Sequence, residues 1–249
     1  MPDAAVPLES TPPLSQPMRV IDTFVAPSKT FTDILRNANC WLALVIIVVM
    51  SFGYAAVIDK TVGYDTVSQV QMAKSPAQAE RMEQMPPDQR ANALALGVKI
   101  TRYVTYGSWV FVVILLLIEA LIFWAAFNFG LGAKTRFPQV FAVMAFSALP
   151  RTIFVLGLSM VLLFAGVGTE SFDVQNPVGT NVGYYLTEAP KWLQTGGRFL
   201  DVFGLWSLAL MVIGMAIISK KKTSSSAMVV VGVWLLVVLI SVGATAAFS

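Results

Sequence analysis

Five long apolar runs separated by polar segments dominate the chain, at about 41–58, 107–130, 138–166, 199–219 and 227–248. A helix needs about 20 predominantly apolar residues to cross a hydrocarbon core of roughly 30 Å, and all five runs meet that test. The first, Trp41 to Ile58, and the last, Ala227 to Phe248, contain no charge, whereas each of the middle three carries one ionisable residue. The pattern predicts an all-α fold, an integral membrane bundle of five transmembrane helices with helical segments outside the bilayer.

Between the runs the signals are local. Residues 1–19 hold five prolines and no apolar core for a signal peptide, so they are expected to form a disordered tail ahead of a membrane domain over 20–248. Pro27-Ser28 opens a short amphipathic helix with Phe31, Ile34 and Leu35 on one face. That face suits either a partner or the lipid surface. Segment 59–106 is too long and polar for a plain loop. Ala77–Met85 and a helix capped by Asp88, with Ala91, Leu94, Ala95 and Val98 on one face, predict a helical cap. Segment 167–198, rich in Gly and Pro, reads as an irregular loop with an interfacial stretch.

Composition sharpens this reading. Of 249 residues 56% are hydrophobic and 12% charged, with a mean hydropathy of +0.71; soluble domains carry roughly 25% charged residues. There is no histidine and one cysteine. Histidine-based catalysis, most zinc sites, c-type haem attachment and an internal disulfide are thereby excluded. No Walker loop or G-x-S-x-G is present. Cys40 has no basic neighbour in sequence and reads as a buried thiol. No catalytic, cofactor or metal site is expected, and the chain reads as a non-enzyme.

Charge gives direction. Lys134 and Arg136 lie in the turn between the second and third spans, and Lys220, Lys221 and Lys222 between the fourth and fifth. Lys29 and Arg36 precede the first span on the same side. Basic residues concentrate in short cytoplasmic loops, so the N-terminus is expected inside and the C-terminus outside. The net charge of +3 reflects these topology anchors beside anionic lipid; no basic stripe with interleaved aromatics points to nucleic acid.

Charges inside spans call for explanation. Glu119 lies 11 residues before Gly130, and Arg151 lies 13 residues after Pro138. At 1.5 Å per residue these positions are about 17 and 20 Å from the same boundary, so an ion pair between antiparallel neighbours is geometrically natural. It reads as a neutralised helix–helix clasp or, alternatively, as a proton or substrate relay. Pro150 should kink the third span beside Arg151. Asp201 should anchor the N-terminus of the fourth span. Gly243/Ala247 and Ser241/Thr245 are small-residue pairs that favour helix packing.

Three stretches carry a resemblance. Ala26-Pro-Ser-Lys-Thr-Phe-Thr-Asp-Ile-Leu35 ahead of a tryptophan-initiated span resembles the P-x-x-T-F opening of the Yip family of Ypt/Rab-interacting membrane proteins. Phe137-Pro-Gln-Val-Phe-Ala-Val-Met-Ala-Phe-Ser-Ala-Leu-Pro150 resembles its third span. Asp201-Val-Phe-Gly-Leu-Trp-Ser-Leu-Ala-Leu-Met-Val-Ile-Gly214, with the basic turn and last span behind it, resembles its fourth and fifth. Met85-Pro-Pro-Asp-Gln-Arg90 is similar to the outer segment of bacterial members. The resemblance, over about residues 20–248, implies five helices with the N-terminus cytoplasmic and the C-terminus outside, in a bacterial inner membrane. A Rab-type GTPase partner is not expected in that branch. The expected partners are the lipid bilayer and other membrane proteins or further copies of the chain. The expected role is a scaffold or accessory subunit of a membrane assembly; the alternative is a small transporter or lipid-handling protein using Glu119 and Arg151.

Overall fold

The computed structural model describes residues 12–73, 76–170 and 172–248. Among them every regular element is helical, and extended backbone pairs only in one antiparallel bridge, Asn181 with Asp201. Two short helices open the chain. α1 (Gln16–Val25) starts at Ser15, whose hydroxyl accepts from the Met18 amide at 3.4 Å, with Pro17 in its first turn. α2 (Pro27–Ile34) begins on Pro27, where a missing N–H costs nothing.

Of the tail expected over 1–19, residues 1–11 lie outside the described residues. Gln16–Arg19 are already helical, so order begins earlier than proline content suggested. A serine cap followed by proline in the first turn is itself a helix-start signal.

Five helices are long and apolar enough to cross a membrane. The first is α3 (Trp41–Thr61). Outside it follow α4 (Tyr64–Ala73), α5 (Pro76–Glu83) and α6 (Pro87–Tyr106). α6 is capped at Pro86, so Asp88 stands in its first turn rather than at its cap. The inward side of α6 carries Ala93, Leu94, Gly97 and Val98, while Ala91 and Ala95 are exposed. The face is rotated because α6 seats Gly97 against α4, where an added Cβ would lie 3.5 Å from Ser68 Oγ.

The second span is α7 (Ser108–Ala125), ending in a π-helical turn, Ala126–Gly130. The third breaks in the middle: α8 (Phe137–Ser147), a π-helical turn Arg151–Val155, then α9 (Leu156–Phe164). Pro150 has no N–H to give the carbonyl one turn back, and the ladder resumes with a wider turn. Beyond it, segment 167–198 contains a 3₁₀ turn, Val182–Tyr185, and a helix not foreseen from its glycines, α10 (Lys191–Arg198). The fourth span, α11 (Val202–Ser219), starts after the bridge at Asp201, so residues 199–201 stay outside the helix. The fifth, α12 (Thr223–Phe248), starts before the uncharged run because Ser226 is helical, its hydroxyl donating to the Val212 carbonyl at 2.8 Å.

The chain divides into two compact units, each drawing on several spans. The first comprises residues up to Leu44, Leu116–Ser147 and Leu208–Gly232. Its core is α8, buried at Gln139 and Val140 and from Ala142 through Ser147. Phe31 and Ile34 of α2, both fully buried, pack in this core with Val143 and Met215. The apolar face of α2 is thus covered by the chain's own helices and rests on neither lipid nor a separate partner. The second unit comprises Val45–Leu115, Ala148–Ser207 and Val233–Ser249. Its core joins Tyr54, Val57 and Ile58 of α3 to Tyr64 and Val67 of α4, Leu163 of α9 and Phe172.

Gly214 shows how closely the first unit is fitted. A Cβ there would lie 2.6 Å from Val143 Cγ1 and 3.0 Å from Phe31 Cδ1. Overpacking such a site costs about 1–3 kcal/mol. Gly214→Val is therefore expected to lower thermal stability in mild detergent by about that amount. Gly232→Ala, which meets nothing within 4 Å, should leave it unchanged or slightly raised.

Candidate functional site

The most densely bonded polar group of the first unit lies in the opening hairpin, where sequence reading placed no site. Arg19 on α1 is 1% exposed and Asp33 on α2 is 5% exposed. Arg19 Nη2 lies 2.7 Å from Asp33 Oδ2, and Nε donates to the same oxygen at 2.8 Å. Arg19 Nη1 donates to the Asn39 carbonyl at 2.7 Å, which also accepts from Gln16 Nε2 at 2.8 Å. Asp33 Oδ2 accepts further from the Leu14 amide at 3.2 Å, and Arg36 Nη1 stands 3.9 Å from Oδ1. A buried pair is tolerable only when its remaining donors and acceptors are satisfied in this manner.

The motif residues around it have separable tasks. The Thr30 hydroxyl donates to the Arg19 carbonyl at 2.8 Å, alongside the Thr23 hydroxyl at 2.7 Å. One residue later Phe31 enters the space that Gly214 leaves open. Val143 and Gly214 lie 6 and 5 residues inside the ends of their spans at Phe137 and Ser219, about 8–9 Å along each helix. The hairpin is therefore seated among the span ends. Met18, Ile21 and Val25 form the exposed stripe of α1. Cys40 follows the hairpin, buried, and burial pushes its thiol up to about 11. At neutral pH it is protonated and a poor nucleophile.

Glu119 lies on the outer side of α7 in the first unit. Arg151, exposed, opens the π-helical turn immediately after Pro150 in the second. Asp201 also belongs to the second unit, 5% exposed, and is the N-cap of α11 rather than a member of its first turn. Its Oδ1 accepts from the Gly204 amide at 2.6 Å, and its Oδ2 from the Thr180 hydroxyl. The Val202 amide donates to the Thr180 carbonyl at 3.1 Å, so the carboxylate ties segment 180–182 to the start of the span.

The basic residues sit in two ordered turns of the first unit. Lys134 and Arg136 are exposed on either side of buried Thr135. The Thr135 amide donates to Asn128 Oδ1 at 2.8 Å, and its carbonyl accepts from Trp124 Nε1 at 3.1 Å. Lys220, at φ +55°, closes the end of α11 ahead of Lys221 and Lys222. In the second unit Asp59 holds Arg102 at 2.7 Å and accepts from the Tyr106 hydroxyl at 3.1 Å. Burial, with the acceptor and charge of Asp59, raises the Tyr106 hydroxyl above the ordinary tyrosine range.

Two cavities line the second unit. One of about 420 Å³ lies between α3, α4 and α6; a larger one of about 790 Å³ lies where α9 ends, walled by α10. Among the described residues no three of His, Cys, Asp and Glu come together to hold a metal ion.

Five apolar spans and helical segments outside them define an all-α, multi-pass integral membrane protein in contact with the lipid bilayer. The family model of the Yip1 domain matches residues 21–245, and the chain belongs to that family. No curated protein and no solved structure matches it.

The hairpin pair makes a direct prediction. Breaking a buried pair from one side costs roughly 3–5 kcal/mol, whereas replacing both partners with apolar groups costs far less. Arg19→Met and Asp33→Leu are each expected to lower stability in detergent by several kcal/mol, and the double variant by less than either alone.

Proposed function

We propose that this Yip-family protein is a non-enzymatic scaffold or accessory subunit that assembles with other membrane proteins or with further copies of itself. The observation that carries this reading is the fifth span. Its apolar stretch is 6% buried within the chain, against 22–50% for the other four. A helix of that hydropathy is stable in lipid without a partner, so its surface remains open to another protein. Gly232 and Gly243 meet nothing within 4 Å of where a Cβ would stand, which lets a neighbouring helix approach closely.

The same reading places the protein in a bacterial inner membrane, N-terminus cytoplasmic and C-terminus outside. Lys134, Arg136 and Lys220 to Lys222 crowd two short turns of the first unit, where Lys29 and Arg36 also lie, while the basic residues of the second unit's longer segments 59–106 and 167–198 are spread out and offset by Asp59, Asp65, Glu80, Glu83, Asp88, Glu170, Asp173 and Glu188. That asymmetry supports the orientation. A Rab-type GTPase and nucleic acid have no part in it.

One observation favours a second reading, a small transporter or lipid-handling protein working through Glu119 and Arg151. The third span leaves α-helical register at Arg151–Val155, directly after Pro150, and π-helical turns are frequent at functional sites. Under the scaffold reading neither charge serves transport, and Glu119→Gln combined with Arg151→Met keeps function if packing is kept.

Co-purification of the tagged chain from its native membrane in mild detergent separates the two. A stoichiometric membrane partner is the expected result, retained in the Glu119→Gln/Arg151→Met variant. Recovery of the chain without any protein partner, with substrate flux in vesicles abolished by either single change, would replace the scaffold reading with transport.

A further inference from the structure

The larger cavity of the second unit has the chemistry of an amphiphile site. Lys191, Gln194, Thr195 and Arg198 fall at i, i+3, i+4 and i+7 on α10, and all four line it. The helix turns Trp192 and Leu193 outward instead, 44% and 40% exposed, and tryptophan suits the headgroup level of a bilayer. Leu162 and Leu163, at the end of α9 in the third span, give the cavity an apolar wall. The polar wall thus stands at the end of a membrane span.

Glycines fix the direction of this polar face. A Cβ on Gly197 would lie 2.7 Å from the Gly183 nitrogen, and one on Gly183 would lie 2.4 Å from the Gln194 carbonyl oxygen. α10 and the 3₁₀ turn therefore meet backbone to backbone, and α10 cannot roll without a clash.

Arg198 is incompletely satisfied. Its Nε is buried with no hydrogen-bond partner among the described residues. Its Nη2 stands 3.8 Å from Asp173 Oδ2, and its Nη1 reaches Gln175 Oε1 at 3.4 Å, both long. A guanidinium offers five N–H donors in a planar fork suited to phosphate. Among the described residues the cavity is lined by two cations, Lys191 and Arg198, and by one carboxylate, Asp173. A volume of about 790 Å³ admits a headgroup and the first part of its acyl chains.

We infer that this cavity binds a phospholipid, its phosphate held by Arg198 and Lys191 and its chains laid against the end of the third span. The site is separate from Glu119 and Arg151 and stands whether or not the scaffold reading does, because no protein partner is needed to observe it. The test uses the full chain purified in a non-ionic detergent, with binding followed by native mass spectrometry and thermal shift. The probes are dioctanoyl phosphatidylglycerol, dioctanoylglycerol and inorganic phosphate. Saturable binding of the phosphatidylglycerol is expected, with affinity reduced about tenfold by Arg198→Gln. Lys191→Gln, at the other end of the face, should weaken it in the same direction and carries the test if Arg198→Gln does not fold. Equal binding of dioctanoylglycerol would show an apolar groove without a headgroup site. Equal binding of inorganic phosphate would assign the site to a free anion. Either result, or wild-type affinity in both variants, overturns the proposal.

Discussion

The first unit depends on one buried charge pair. Arg19 and Asp33 stand on two short helices that would be marginal alone, and the pair with its satellite bonds to Asn39, Leu14 and Gln16 makes them a single body. Only in that body does Thr30 meet the Arg19 carbonyl and Phe31 point at Gly214. Removing two charges from water is costly, and the cost is offset here by several hydrogen bonds to the pair as well as by Coulomb attraction. The geometry of the opening hairpin is accordingly narrow, with little room for an altered register.

The spans show a complementary logic. A bilayer demands that backbone polar groups be satisfied internally, and this chain departs from regular helix only where something local answers for it. Pro150 is followed by a π-helical turn that restores bonding before α9, and the end of α7 winds into a second one before the turn held by Asn128 and Thr135. At Asp201 the carboxylate takes over the donors of the span's first turn and those of the adjoining segment. Fold and polar chemistry are thus concentrated at span ends and breaks.

Much of this was legible from residues alone, and the failures have physical causes. The five spans and the all-α class follow from runs of about 20 apolar residues, a signal that no soluble fold imitates. The break at Pro150 follows from a missing N–H. Five nearby prolines mask the helix that carries Arg19, although Pro17 sits where helices accept it, in the first turn after a serine cap. What covers α2 is not legible locally, because periodicity reveals that a face is apolar but not what packs on it, and the cover includes Gly214, nearly two hundred residues away. Gly196 and Gly197 weaken the helix signal of α10, although Gly197 is required by its contact with Gly183.

The central claim is that the opening hairpin is a packed part of the membrane domain and not a tether. Hydrogen–deuterium exchange of the full chain in lipid nanodiscs addresses it directly. Amides from Arg19 to Ile34 are expected to exchange as slowly as those of α8, with protection lost across the whole segment in Asp33→Leu. Fast exchange of Arg19 to Ile34 in the unmodified protein, while α8 remains protected, would contradict it.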